Sequence, residues 1–122
     1  MNNFDFGEQM KVTTKTLAKD IILFIKAVPE DYVSKILVRQ LVRSATSTAA
    51  NYRAVCRARS KGEFFAKLSI TIEEADETLF WLELLEDTKI TRPTKHLEEL
   101  KHRATKVRNV LSKARKNTTL KR

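Results

Sequence analysis

The segment SKGEFFAKLSITIEEADETLFWLELLED, at residues 60–87, decides the fold class. It begins with Ser60 and Glu63 in the spacing of a capping box, in which the serine hydroxyl and the glutamate carboxylate satisfy free backbone amides at a helix start. Apolar residues then recur every three or four positions, at Phe65, Leu68, Ile72, Ala75, Leu79 and Leu82. This spacing is that of one face of an α-helix, so we predict a helix over residues 61–87.

Three other segments repeat this pattern. Pro29 ends the first of them, because its ring cannot continue the helical hydrogen bonds, and Pro93 suits the first turn of the last. The predicted helices cover residues 8–28, 32–58, 61–87 and 93–115, and a basic tail covers residues 116–122. The predicted apolar seams are Met10, Thr14, Leu17, Ile21, Phe24 and Val28 in the first helix, Val38, Val42, Ala45, Ala49, Tyr52 and Cys56 in the second, and Leu97, Leu100, Ala104, Val107, Leu111 and Ala114 in the fourth.

Composition agrees with an all-α chain. The 122 residues include only two glycines and two prolines, too few breakers for a meander of short strands. Helices of about twenty residues joined by short loops pack most simply as an antiparallel up-down-up-down bundle. We therefore predict a single four-helix-bundle domain that covers residues 1–122.

Charge is sorted by helix. Residues 34–61 contain seven Lys or Arg and no acid, whereas residues 62–87 contain eight Asp or Glu and one lysine. From Arg92 onward, eleven Lys or Arg face two glutamates, and the net charge of the chain is +9. The pattern indicates an acidic helix packed among basic ones, with surplus positive surface for a polyanion.

Several classes of function find no support in the residues. A single cysteine, Cys56, excludes an intramolecular disulfide and a cysteine-based zinc cluster, and its seam position predicts a buried small hydrophobe. Glu99 and His102 match half of a di-iron motif, but only one copy occurs and both residues point away from the seam. We predict no enzyme activity, no metal and no cofactor.

The longest apolar run near the start of the chain covers only residues 21–25, far short of a membrane span. We predict no membrane association and a cytoplasmic location. This run and residues 79–85 nevertheless place apolar side chains on every side of their helices. One bundle core cannot cover them all, so we predict a homo-oligomer with Phe24, Phe80 and Trp81 in its interface; that these rings only widen the monomer core stays open.

Basic residues form two stripes beside the predicted seams. Guanidinium groups contact phosphate and stack on exposed bases, so these stripes predict a track for RNA or single strands. The alternative is that they pair with the acids of the third helix. The predicted nucleic-acid-binding residues are Arg39, Arg43, Arg53, Arg57, Arg59, Lys101, Arg108 and Arg115.

Four motifs carry a resemblance to a known family. They are QLVRSATS at residues 40–47, RARSKGEF at 57–64, EEADET at 73–78 and WLEL at 81–84, with Asn51 between the first two. In these motifs the chain resembles the small four-helix-bundle proteins encoded in intervening sequences of bacterial 23S ribosomal RNA genes. The likeness spans residues 12–111. Many members have Glu-Gly three residues after the asparagine, where this chain has Ala54 and Val55.

This resemblance implies a left-handed bundle that assembles into a ring, a pentamer, with a connection to RNA. Related bundles are basic accessory subunits of reverse transcriptases in diversity-generating retroelements. The first functional hypothesis is thus a non-enzymatic, oligomeric bundle that binds RNA through its basic surface. The alternative is a protein-interaction ring, or an accessory subunit, that docks an acidic protein or a reverse transcriptase.

Overall fold

Four helices make up the protein. The computed structural model describes residues 2–120, with side chains described as far as Thr118. The helices are α1 (Asn3–Phe24), α2 (Tyr32–Cys56), α3 (Lys61–Asp87) and α4 (Lys95–Leu120), and a 3₁₀ turn (Ile25–Ala27) follows α1. No strand occurs among these described residues, so the all-α prediction is confirmed.

Side-chain caps fix where α3 and α4 begin. Ser60 Oγ accepts a hydrogen bond from Glu63 N at 3.0 Å, as the capping-box spacing predicts. Thr94 Oγ1 accepts one from Leu97 N at 3.1 Å. Because Thr94 provides the cap, Pro93 lies before the helix and not in its first turn as predicted.

The outer ends of α1 and α4 extend beyond the prediction. Asn2 Oδ1 accepts a hydrogen bond from Asp5 N at 2.8 Å and starts α1 at Asn3, earlier than the predicted residue 8. The predicted basic tail is helical through Leu120, because no helix breaker interrupts it. Residues 121 and 122 lie outside the described range.

The seams of α1, α3 and α4 form the core. All six predicted seam residues of α1 are buried, as are five of the six in α3 and in α4. Phe65 and Ala114, the outermost members of their seams, are half-buried. The 3.6-residue periodicity therefore identified the core face of these three helices.

The predicted seam of α2 is correct at Ala45 and Tyr52, but its other members lie to one side of the buried face. Its buried residues are Ser34, Leu41, Ser44, Ala45, Thr48, Tyr52 and Val55. Val38 and Val42 are half-buried, and Cys56 is exposed. The hydroxyls of Ser44 and Thr48 donate to backbone carbonyls of their own helix, at 3.1 and 2.8 Å, and can therefore be buried.

The buried face of α2 is rotated about the helix axis relative to the predicted face, and this changes where the arginines lie. One residue along a helix corresponds to about 100° around its axis. Arg39, Arg53 and Arg57 consequently lie on the outer side of α2, away from the buried face, and all three are exposed. They are further from the core than the predicted positions beside the seam.

Contacts between α3 and α4 give the relative direction of the two helices. Three side chains of α4, at increasing residue numbers, contact partners at decreasing residue numbers in α3: Lys101 with Glu86, Arg108 with Asp76, and Arg115 with Ser69. This is the order expected for antiparallel neighbours. Two contacts of α1 with α4, Phe24 with His96 and Asp20 with Arg103, follow the same rule.

Candidate nucleic-acid interface

The predicted stripe on α4 contacts other protein groups. Lys101 Nζ lies between the carboxylates of Glu86 and Glu98, and hydrogen bonds to both raise the pKa of Lys101 to about 12. Arg108 Nη1 is 2.7 Å from Asp76 Oδ1. For these two residues the ion-pairing alternative is confirmed.

The third member of that stripe also contacts α3. Arg115 Nη1 donates a hydrogen bond to Ser69 Oγ at 3.2 Å, and its guanidinium carbon lies 6.0 Å from the centre of the Phe65 ring. These contacts, with those of Lys101 and Arg108, join α4 to α3 along most of their length.

Arg43 is the paired arginine on α2. Its guanidinium group is 3.1 Å from Glu74 Oε2 and also contacts Glu77 Oε2. The hydrogen bond to Glu77 is the main reason that the pKa of Arg43 is raised. Arg43 therefore joins α2 to α3.

The other four predicted arginines have no carboxylate partner in the described part of the chain. Among the residues that the structure describes, no acid lies within 4.0 Å of the guanidinium groups of Arg39, Arg53, Arg57 and Arg59. All four are exposed. The two alternatives for the basic stripes thus divide by residue: Arg43, Lys101 and Arg108 are paired with acids, whereas the four arginines named above have no acid partner among the described residues.

Two of these unpaired arginines also line a cleft of about 990 Å³ at one end of the bundle. The start of α1, the end of α2, the start of α3 and the end of α4 form its walls. Its apolar lining includes Phe6, Val55, Phe64, Leu68, Val110 and Leu111. Its charged lining comprises Lys11, Arg53, Arg57, Lys61, Lys113 and one acid, Glu8.

The charges around the cleft favour an anion. Glu8 lies 2.5 Å from Lys11 Nζ, so among the described lining residues the only carboxylate is already paired with one of the five cations. Two helices begin here and two end here, so the helix dipoles largely cancel and the side-chain cations set the charge of the cleft. Like charges gathered around a concave apolar surface raise the local concentration of a polyanion.

Sequence reasoning missed the cleft. It started α1 at residue 8 and so assigned no role to Phe4 and Phe6, although Asn2 and Asp5 have the spacing of a helix cap. It also placed Cys56 in the core, whereas this residue lines the cleft. Tyr52, beside it, is buried, and burial raises the pKa of its phenol.

The three predicted interface residues differ in exposure. Phe24 is only 7% exposed and packs edge-on against the His96 ring at 5.5 Å, so its assignment to an interface is wrong. Phe80 is 50% exposed, and its ring lies 4.9 Å from that of the half-buried Trp81. Phe80 therefore remains available on the surface of α3, where it lies among four acids, Glu73, Glu74, Asp76 and Glu77.

The described part of the chain contains neither a metal-binding cluster nor a membrane-spanning helix. Glu99 and His102 are both exposed, as the sequence predicted. Residues 2–120 contain no group of three or more His, Cys, Asp or Glu side chains placed to hold a metal ion. Within the same range no helix is long and apolar enough to cross a bilayer.

Fold and surface together define a basic four-helix bundle in which, among the described residues, Arg39, Arg53, Arg57 and Arg59 have no acid partner. The chain belongs to the 23S rRNA-intervening sequence protein family, whose model matches residues 8–113. A crystal structure of a protein of unknown function from the S23 ribosomal protein family of Bacteroides thetaiotaomicron is similar, with a TM-score of 0.77 and 29% sequence identity. The similarity covers 88% of this chain and 98% of that one. No curated protein matches the chain significantly.

Proposed function

We propose that this protein is a non-enzymatic, oligomeric RNA-binding bundle that contacts backbone phosphate through the outer face of α2. The observation that carries the proposal is the division of its arginines into paired and unpaired sets. Arg39, Arg53, Arg57 and Arg59 are exposed and lack an acid partner among the described residues. An RNA partner implies a cytoplasmic location.

The charge balance supports this assignment. Pairing with the acids of α3 engages Arg43, Lys101 and Arg108, and these contacts stabilise the fold. The unpaired guanidinium groups of α2 keep their donors free, and guanidinium binds phosphate oxygens in a bidentate manner. Such contacts depend on the backbone of the nucleic acid and confer little sequence selectivity.

We further propose that copies of this left-handed, up-down-up-down bundle assemble head to tail into a ring, as the family resemblance implies for a pentamer. The outer face of α3 exposes Ile70 and Phe80 among acids, whereas the start of α2 exposes Tyr32, Val33 and Ile36. Lys35 lies exposed among the latter. Two different apolar faces form a heterologous contact, which closes into a ring when the rotation permits. Sedimentation of the wild type and of Phe80→Glu tests this assembly, and a wild-type monomer at micromolar concentration contradicts it.

The test of RNA binding compares two arginines one helical turn apart. Arg39 is unpaired and Arg43 is bound to two glutamates. We expect Arg39→Gln to weaken binding of a structured ribosomal RNA fragment and to reduce the slope of log affinity against log salt by about one. Arg43→Gln, the matched control, is expected to leave RNA affinity nearly unchanged.

The free energy of unfolding is expected to rank the two variants in the opposite order, with Arg43→Gln affected more than Arg39→Gln. Arg43→Gln is expected to lower the free energy of unfolding by about 0.5–1 kcal/mol, because its ion pairs are partly exposed and screened. Arg39→Gln is expected to leave it unchanged. The absence of RNA binding at low salt, or binding that is independent of salt, contradicts the proposed function.

A further inference from the structure

We propose that the cleft formed by the ends of the four helices binds an unpaired nucleotide of a single-stranded RNA segment. The inference rests on the proposed function and extends it from phosphate contact to recognition of a base. The occupant would place its base against the apolar lining and its phosphates against the basic rim.

The size and lining of the cleft fit a nucleotide. Its volume of about 990 Å³ is at the upper end of the range of about 300–1,000 Å³ that small-molecule sites occupy. Three phenylalanines line it: Phe4, Phe6 and Phe64. Base stacking on aromatic rings is the main sequence-tolerant contact that proteins make with single strands.

Phe4 is the ring most available to a ligand. It lies in the first turn of α1 with 74% of its surface exposed, whereas Phe6 and Phe64 are half-buried against the core. The protein therefore leaves a large aromatic surface uncovered at a site surrounded by cations. An RNA base would cover that surface, and the adjacent cations would offset the charge of its phosphates.

The rim connects the cleft to the outer face of α2. Arg53 and Arg57 belong both to the unpaired arginines of that face and to the lining of the cleft. They lie one helical turn apart, which is about 6 Å along the axis. A single-stranded RNA that contacts the arginines of α2 in order towards the end of that helix therefore reaches the cleft.

A single strand fits this site, and a duplex does not. In an A-form duplex the bases are stacked inside the helix and its deep major groove excludes side chains, so no base is free to enter a cleft. An acidic peptide with apolar side chains would also match the charge, but the combination of arginine and uncovered aromatic rings is the one that stacks on bases. We therefore assign the cleft to RNA.

Cys56 provides a reporter within the cleft. It is the only cysteine of the chain, it is exposed, and it lines the site. Its rate of modification by N-ethylmaleimide therefore measures access to the cleft. We expect saturating oligoadenylate of twelve nucleotides to slow this reaction at least about fivefold, and a blunt twelve-base-pair RNA duplex to leave it unchanged, because only the single strand presents free bases.

A matched pair of substitutions tests stacking. Phe4→Leu retains an apolar side chain but removes the ring, and we expect it to lower oligoadenylate affinity about tenfold or more, as measured by fluorescence anisotropy. Leu23→Ala removes apolar surface that is 51% exposed at the other end of the bundle and is expected to have no effect. Thermal unfolding and sedimentation of both variants verify that fold and assembly are retained.

The outcomes distinguish the two proposals. If oligoadenylate binds in a salt-dependent, Arg39-dependent way but neither protects Cys56 nor responds to Phe4→Leu, the cleft assignment is overturned and the proposed function stands. If an acidic phenylalanine-containing peptide protects Cys56 and oligoadenylate does not, the cleft is a peptide site and the assignment is again overturned. If neither single-stranded nor structured RNA binds at low salt, both proposals fail.

Discussion

The two ends of the bundle are built differently. At the end that carries the α1–α2 and α3–α4 connections, here called the closed end, Ile21, Leu85 and Leu97 are completely buried. At the opposite end, here called the cleft end, the four helices line a cleft of about 990 Å³ with a basic rim. The cleft end thus leaves cations and the Phe4 ring for a ligand, whereas the closed end exposes Tyr32, Val33 and Ile36, the face proposed for assembly.

Local structure reinforces the closed end. After α3, Lys89 N donates to Glu86 O at 3.0 Å and Ile90 N donates to Leu85 O at 3.2 Å. These two bonds form a Schellman motif, and Lys89 takes the left-handed conformation it requires, with φ of 60°. Ile90 then packs against the core. The comparison indicates that a helix-terminating motif reinforces the closed end, whereas the cleft end provides the basic surface for a ligand.

The largest expected effect comes from replacing a buried leucine by alanine at either end of the bundle. Leu85 and Leu111 are both completely buried, but Leu111 lines the cleft. We expect Leu85→Ala to lower the free energy of unfolding by about 3–5 kcal/mol and Leu111→Ala by about 2–3 kcal/mol, because a gap beside the cleft can fill with water while one at the closed end stays empty. Urea unfolding followed by circular dichroism measures both. Equal costs, or a larger cost for Leu111→Ala, would break the comparison.

Loss of a helix cap is expected to cost the same free energy at both ends. Ser60 at the cleft end and Thr94 at the closed end each accept one backbone amide, at 3.0 and 3.1 Å. We expect Ser60→Ala and Thr94→Ala each to cost about 1 kcal/mol, since the loss is local to one hydrogen bond. Thermal unfolding gives both values. A difference of more than about 1 kcal/mol between them would mean that the free energy contributed by a cap depends on the packing around it.

A gain in stability is expected at the closed end from Lys89→Gly. The φ of 60° at this residue strains any side chain with a Cβ atom, and glycine removes that strain. We expect the free energy of unfolding to rise by about 0.5–1 kcal/mol. Lys89→Ala is the control, because it removes the charge but retains the Cβ atom. A similar gain in the alanine variant would assign the effect to charge and not to backbone strain.

The smallest effect is a pH dependence at the closed end. Asp31 caps α2, and its hydrogen bonds from the backbone and hydroxyl of Ser34 lower the pKa of its carboxyl below the ordinary value of 3.8. Because the folded pKa is the lower one, this stabilisation is complete above about pH 4 and is lost as the pH falls through the folded value. Asp31→Asn retains a cap that does not titrate. We expect its unfolding temperature to fall less than that of the wild type between pH 5 and pH 2.5, and parallel curves would contradict this role of Asp31.

Sequence patterns predicted the local features well. The capping box at Ser60, the periodic seams of α1, α3 and α4 and the absence of strands all follow from spacing along the chain. The buried face of α2 does not follow from this spacing, because it includes Ser44 and Thr48, which are not apolar. Thr78 Oγ1 donates to Ser44 Oγ at 3.1 Å, a contact across 34 residues of sequence, and no local pattern reveals it.

The candidate site was predicted in part. Sequence reasoning named the basic residues but left open which of them bind acids. Arg39 and Arg43 look alike in the sequence, four residues apart on one stripe. Only the position of Glu74 and Glu77 on the neighbouring helix separates them.

The sequence by itself determined four helices, the bounds of α3, the start of α2 and the sorting of charge among the helices, because helix propensity, caps and periodic apolar residues act over a few positions. The tertiary structure alone decided the rotation of α2, the division of arginines into paired and unpaired sets, and the cleft. These depend on side chains that are distant in the chain and meet only when the helices pack. The cleft draws its walls from the starts of α1 and α3 and the ends of α2 and α4, so no single segment encodes it.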